Sequence, residues 1–251
     1  MYVATSILFF LLGLIFGSFF NVVGLRLPTR QPFVNDRSRC PHCRETLSWR
    51  ELIPVLSYLL QRGRCRHCRA GISWIYPVVE LLTGCLFAAS FAVLGWQFEL
   101  LIALLLISML MIIFVSDMVY MLIPNKVLLF FLPLFIIGRL VHPLEPWWSS
   151  VAGAVTGAAI IALIILISRG GMGAGDMKLF GVLGFVFGFK EVLLAFFLSC
   201  MIGALIGVVL MMLEVVNRKQ AVPFGPYIVL GALLTYFFGE PMVDWYMNLL
   251  I

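Results

Sequence analysis

Two sets of side chains in this sequence could do chemistry. The first is a pair of Cys-x-x-Cys knuckles, Cys40-Pro41-His42-Cys43 and Cys65-Arg66-His67-Cys68, with 21 residues between them. Two such knuckles at about this separation suit tetrahedral coordination of zinc by four thiolates. A pair of redox disulfides is the competing reading, and a reducing compartment favours the metal. Four thiolates leave no open coordination position, so the zinc is expected to be structural. His42 and His67 are then not needed as ligands and are expected beside the site or at the surface.

The second set is a pair of carboxylates. The chain holds only four Asp, at 36, 117, 176 and 244. Asp117 follows the apolar run Phe114-Val115-Ser116 and precedes Ile123-Pro124-Asn125-Lys126. Asp176 closes the glycine run Gly170-Gly171-Met172-Gly173-Ala174-Gly175. Each alone could be a loop residue capping a helix, Asp176 as the acidic partner of a helix dipole. Together they suggest more. Two carboxylates held close share one proton, since both cannot ionise. The neutral member can polarise a scissile carbonyl while the charged member takes a proton from water, the division of labour of an aspartic protease. Gly173 and Gly175 would let the backbone bend and admit an extended substrate beside Asp176. Lys178 is either a snorkelling anchor or a substrate contact. The glycine run lacks the Gly-Lys-Ser/Thr ending of a phosphate loop and follows an apolar run where a dinucleotide fold needs a strand.

The elements that must position these groups are membrane helices. The chain has 251 residues, 63% of them hydrophobic and 12% charged, with a mean hydropathy of +1.09. One soluble core of this size could not hide that much apolar surface. Apolar runs near 3–25, 76–95, 98–116, 126–142, 150–168, 178–190, 192–214 and 224–240 predict about eight transmembrane helices, the sixth short and glycine-rich. Alternating ten-residue segments of a β-barrel are absent from the sequence. The first run has no basic residue before it and is longer than a signal-peptide core, so it is expected to stay as a helix.

Charge placement sets the topology. With eight spans, one side receives 26–75 and the loops near 117–126, 169–178 and 215–223. That side carries all of the 17 basic residues except Arg139 and Lys190. The positive-inside rule makes it cytoplasmic, with both termini outside. The net charge of +5 is therefore topological, and nucleic-acid binding is not expected. Both Asp117 and Asp176 fall at the cytoplasmic edge, where a carboxylate near hydrocarbon costs up to ~3 kcal/mol and needs a reason. The expected organisation is a first helix (1–25), a cytoplasmic zinc segment (26–75) and a polytopic peptidase part (76–251). Too small and polar to fold alone, the middle segment needs a metal staple. Gly13/Gly17, Gly153/Gly157, Gly184/Gly188 and Gly203/Gly207 are expected to let helix backbones approach. Glu51 and Glu80 read as ordinary ion-pair partners of nearby arginines, and Cys85 and Cys200 as small buried residues.

Read in order, the motifs resemble the bacterial type IV prepilin peptidases, bifunctional leader peptidase/N-methyltransferases. Gly17-Ser18-Phe19-Phe20-Asn21 with Arg26-Leu27-Pro28 resembles the family's first-helix signature. The knuckles, Glu51 to Tyr58 and Tyr76-Pro77-Val78-Val79-Glu80 resemble its cytoplasmic segment. Gly173-Ala174-Gly175-Asp176 resembles its Gly-x-Gly-Asp motif, and Pro223-Phe224-Gly225-Pro226-Tyr227 its last-helix entry. The resemblance implies Asp117 and Asp176 as the catalytic pair and a prepilin-like precursor with a short basic leader as substrate, whether pilin, pseudopilin or competence pilin. It also implies methylation of the new amino terminus with S-adenosylmethionine, for which the residues themselves show no fingerprint. Asn125 stands where the family often carries an acid, a departure not expected to touch cleavage. An ion-coupled transporter using the Asp pair is the alternative, disfavoured because neither Asp segment has a second copy and both lie at the membrane edge. A zinc-stapled scaffold would leave the aspartates unexplained.

Overall fold

A computed structural model describes residues 2–32, 37–168, 172–216 and 222–250. Gly170 and Gly171 of the glycine run, and the basic residues Arg169, Arg218 and Lys219, lie outside the described residues.

Among those described, the regular structure is entirely helical: α1 (Tyr2–Arg26), α2 (Leu56–Leu60), α3 (Ile75–Leu94), α4 (Phe98–Tyr120), α5 (Asn125–Val141), α6 (Ser149–Ile167), α7 (Ala174–Phe187), α8 (Phe189–Met212) and α9 (Gly225–Leu250). The helix assignment follows from apolar runs whose backbone polar groups need partners within the segment. Six of them, α1, α3, α4, α6, α8 and α9, are long and apolar enough to cross a membrane. The chain is a multi-pass membrane protein. α5 with 17 residues and α7 with 14 lie where further spans were expected but are shorter than the others. α9 continues past the expected 240 and carries Pro241 within it.

The chain divides into two compact units, Met1–Val119 and Tyr120–Ile251. In the first, α1 packs along α3. The contact is glycine-mediated: a Cβ on Gly13 would sit 2.7 Å from the Gly84 Cα, and one on Gly17 2.8 Å from the Glu80 Cα. Without a hydrophobic drive between helices in lipid, such close backbone approach supplies the dispersion contacts that hold them. Phe9 stacks on Phe91 at 4.9 Å beside it. α4 is the most buried of the six long helices.

In the second unit α6 packs on α7 and α8 on α9. A Cβ on Gly153 would run into the Gly184 carbonyl, and one on Gly157 into that of Phe180. Gly203 faces Tyr227 and Phe224, whereas Gly207 faces open space, so only three of the four expected glycine pairs pack at both members. α7 and α8 join at Gly188, whose φ of +92° calls for glycine. The Ser149 hydroxyl accepts the Phe189 N–H at 3.1 Å there. Arg139, an exception in the charge pattern, is buried in α5 and donates from Nε to the Val186 carbonyl at 2.9 Å. A cation on the last turn of α7 satisfies a carbonyl that the helix leaves unpaired. Cys85 is exposed and Cys200 half-buried, not enclosed as expected; in an apolar span the outer face meets lipid, where a thiol is equally at home.

Candidate functional site

The four knuckle cysteines converge. Their Sγ atoms all lie within 4.8 Å of one another, Cys40 and Cys65 buried, Cys43 and Cys68 exposed. Cys40 and Cys68, from different knuckles, bring their sulfurs to 3.8 Å. A tetrahedral ion with metal–sulfur bonds of about 2.3 Å needs sulfur–sulfur edges of about 3.8 Å, so the donor set fits.

The backbone explains the convergence. In each knuckle the first cysteine donates its N–H five residues ahead, Cys40 to Glu45 at 3.0 Å and Cys65 to Ala70 at 2.8 Å. Each also accepts the N–H four residues ahead, from Arg44 and from Arg69, both at 2.9 Å. Arg44 and Arg69 take φ values of 58° and 59°, and isolated bridges pair Arg39 with Thr46 and Arg64 with Gly71. The two knuckles are the same turn built twice. N–H donation from the Cys43 and His42 backbone holds the Cys40 thiol down at about 7. At Cys43 the Glu45 backbone pulls the thiol down, but desolvation of the sulfur within the cluster and the neighbouring thiols push it up to about 12.

Around the knuckles, Glu51 meets Arg66 electrostatically as expected, though Ser48 holds it more strongly, and Glu80 departs from the expectation. The Glu51 Oε2 accepts from the Ser48 N–H at 2.9 Å and hydroxyl at 2.7 Å, and Oε1 lies 3.5 Å from His67 Nε2. These Ser48 bonds, and after them His67 and Arg66, hold its carboxyl below the usual range. Glu80 is buried in α3 and accepts the Val55 N–H at 2.7 Å, not an arginine. Val55 has a φ of 60°, unusual for a β-branched residue. The spacing from 55 to 80 carries no signal by which sequence reasoning could have found that bond.

The aspartates occupy opposite kinds of helix end. Asp117 lies inside α4, which runs three residues beyond it, and is buried. A carboxylate in a last turn opposes the helix dipole, so capping does not account for it. Asp176 is the third residue of α7, and its Oδ2 accepts the Gly173 N–H at 3.0 Å. Here a capping role is real. Gly173 is extended, with φ −80° and ψ 146°. A Cβ on Gly175 would stand 3.1 Å from the Ile123 Cβ, so this glycine seats the helix start against the 121–124 turn. Close packing, and not the bend expected, is what Gly175 supplies. Lys178 donates to the Asn125 Oδ1 at 3.0 Å, tying α7 to the first residue of α5. The departure at 125 thus keeps an acceptor for this lysine.

A polytopic helical bundle with a four-thiolate segment after its first helix and acids at two helix ends defines a class of membrane enzyme. Residues 11–94 match the bacterial peptidase A24 N-terminal domain, and 104–208 match the type IV leader peptidase family. The chain is 43% identical over 240 residues to a prepilin leader peptidase/N-methyltransferase of Bacillus subtilis, covering 96% of this chain and 97% of that one. It is 34% identical to the protein of that name from Aeromonas hydrophila, covering 96% and 93%. The Myxococcus xanthus protein is 37% identical over 82% of this chain and 63% of its own length. No solved structure matches. The chain belongs to the bacterial type IV prepilin peptidase family and is an enzyme of that family.

Proposed function

We propose that the chain is a membrane aspartic endopeptidase that removes the short basic leader from type IV prepilin-like precursors, with Asp117 and Asp176 as its catalytic pair. The observation that carries the reading is the end-to-end likeness to proteins bearing that activity's name, together with a buried acid at Asp117 that no helix cap explains. One carboxylate, ionised, takes a proton from water as the water oxygen bonds to the scissile carbonyl carbon. The other, neutral, gives its proton to the carbonyl oxygen. Collapse of the tetrahedral adduct breaks the C–N bond, the leaving amine receives the proton held by the first, and one hydroxyl proton of the adduct returns to the second, leaving the carboxyl product. Gly173 and Gly175 support the α7 start that carries Asp176, and Lys178 holds that start to Asn125.

The same reading assigns eight crossings, α5 and α7 being the short ones, with both termini outside and the knuckle segment cytoplasmic. It keeps the division into 1–25, 26–75 and 76–251. Cys40, Cys43, Cys65 and Cys68 would hold a structural zinc ion, which supplies the fold of the segment and no step of the cleavage. The relatives' name extends the proposal to N-methylation of the freed amine; S-adenosylmethionine would supply the methyl group.

The test is cleavage of a purified prepilin-like precursor by detergent-solubilised protein, followed by the size shift. Wild type cuts, and Asp117→Asn and Asp176→Asn do not, with helical content and metal content unchanged. Cleavage by either variant removes that residue from the mechanism, and a wild type inert toward several pilin-type leaders returns the pair to the transporter reading.

A further inference from the structure

The knuckle segment carries a feature that neither the metal nor the cleavage uses. Beside Cys65 lies a hollow of about 760 Å³ lined by Arg50, Arg62, Arg64, Arg66 and Arg69, with Glu51 the one acid among the described lining residues. Glu51, a charge partner of Arg66, offsets only one of the five positive charges. Its Oε2 is engaged by Ser48 and its Oε1 faces His67. Five arginines line one concavity against a single acid, a composition that suits an anion with several acceptor oxygens.

Leu60 gives the hollow an apolar edge, and further apolar side chains stand exposed in the same stretch of chain. Leu60, itself part of the lining, is 75% exposed, Leu59 is 64% exposed and Trp49 is 71% exposed. Leu52, Ile53 and Leu56 are exposed as well. These side chains sit on the short helix α2 and on the turn just before it, and Arg50 lies 5.2 Å from the Trp49 ring centroid. An exposed run of leucine and tryptophan interleaved with arginine is the pattern of a segment lying in a headgroup layer. The segment is also held there by its chain ends, since α1 leaves it at Arg26 and α3 enters at Ile75.

We propose that this Arg-lined hollow is a binding site for the phosphate of an anionic phospholipid, with α2 and Trp49 lying on the acyl boundary beside it. Charge complementarity selects the headgroup, and the apolar edge selects a lipid over a soluble phosphate. The site would fix the knuckle segment against the membrane surface, so the positive charge of the segment does more than set topology. The inference does not depend on which bond the aspartates cut.

Full-length, metal-loaded protein in detergent is titrated with phosphatidylglycerol or phosphatidylcholine of matched acyl chains, and retained lipid is read by native mass spectrometry. Wild type should retain phosphatidylglycerol at the lower concentration. The Arg50→Gln/Arg62→Gln variant should lose that preference by about 30-fold, from roughly five-fold per arginine near a surface. An Arg30→Gln/Arg37→Gln control, equal in charge but outside the hollow, should keep it. Leu59→Ser/Leu60→Ser should weaken retention of both lipids alike. Phosphatidylglycerol should also protect Arg50 and Arg62 of the unaltered protein from a dicarbonyl reagent, a readout that stands even if the double variant loses its metal. Equal retention of the two lipids by wild type, an equal loss in the control, or no protection would overturn the proposal. Displacement of the lipid by millimolar inorganic phosphate would make the site one for free phosphate and would overturn it too.

Discussion

The cysteine cluster and the aspartates make a useful contrast. Each knuckle is closed by backbone hydrogen bonds of its first cysteine within an eight-residue turn, and the turn is repeated, so a handful of consecutive residues decides the cluster. The acids are placed by whole helices. Asp117 sits at the end of α4 in one unit and Asp176 at the start of α7 in the other. A locally built site is robust to what surrounds it but depends on every residue of its turn. The proposed pair would depend on helix packing remote from the acids.

Several outcomes would break or sharpen that contrast. The largest effect belongs to the acids: Asp117→Asn or Asp176→Asn should lower the cleavage rate by at least 10²- to 10⁴-fold, measured on a purified precursor, and leave metal content untouched. Cys65→Ser, or a chelator with reductant, should do the reverse. It should release the metal and open 37–72 to protease while the membrane helices stay folded, since structural zinc in such segments is worth on the order of 10 kcal/mol.

A dispersed site should also respond to remote overpacking. Gly153→Leu drives a side chain into the Gly184 carbonyl and should cost about 1–3 kcal/mol of stability, seen as a lower melting temperature and reduced cleavage with the metal retained. The smallest effect should come from Ser48→Ala, which removes a hydroxyl donor to Glu51 and should loosen the segment by about 1 kcal/mol. Its pH dependence has a definite sign. Because the folded Glu51 carboxyl is held below the usual range, its contribution is complete above the ordinary carboxylate pKa. It fades as the pH falls through the lowered value. The stability gap between wild type and Glu51→Gln should therefore close only in acid.

Legibility followed the same division. The knuckles were readable because ligand spacing is a property of consecutive residues, and the helices because apolar runs of the right length have few other solutions. The acids were readable as candidates only, since nothing in the run around Asp117 says how far α4 continues. The Val55–Glu80 bond and the Arg139 cap on α7 were not readable, because both join residues that only packing brings together. The glycines before Asp176 were assigned to backbone bending, yet Gly175 serves a contact with Ile123 that no local pattern announces.

The glycine seam between α6 and α7 has a mechanical consequence. Where Gly153 meets Gly184 and Gly157 meets Phe180 the backbones themselves are in contact, with little compliant side-chain layer between them, so the two helices resist sliding past one another. Asp176 rides on the end of that welded pair. Any displacement of its carboxylate has to carry α6 along as a single lever.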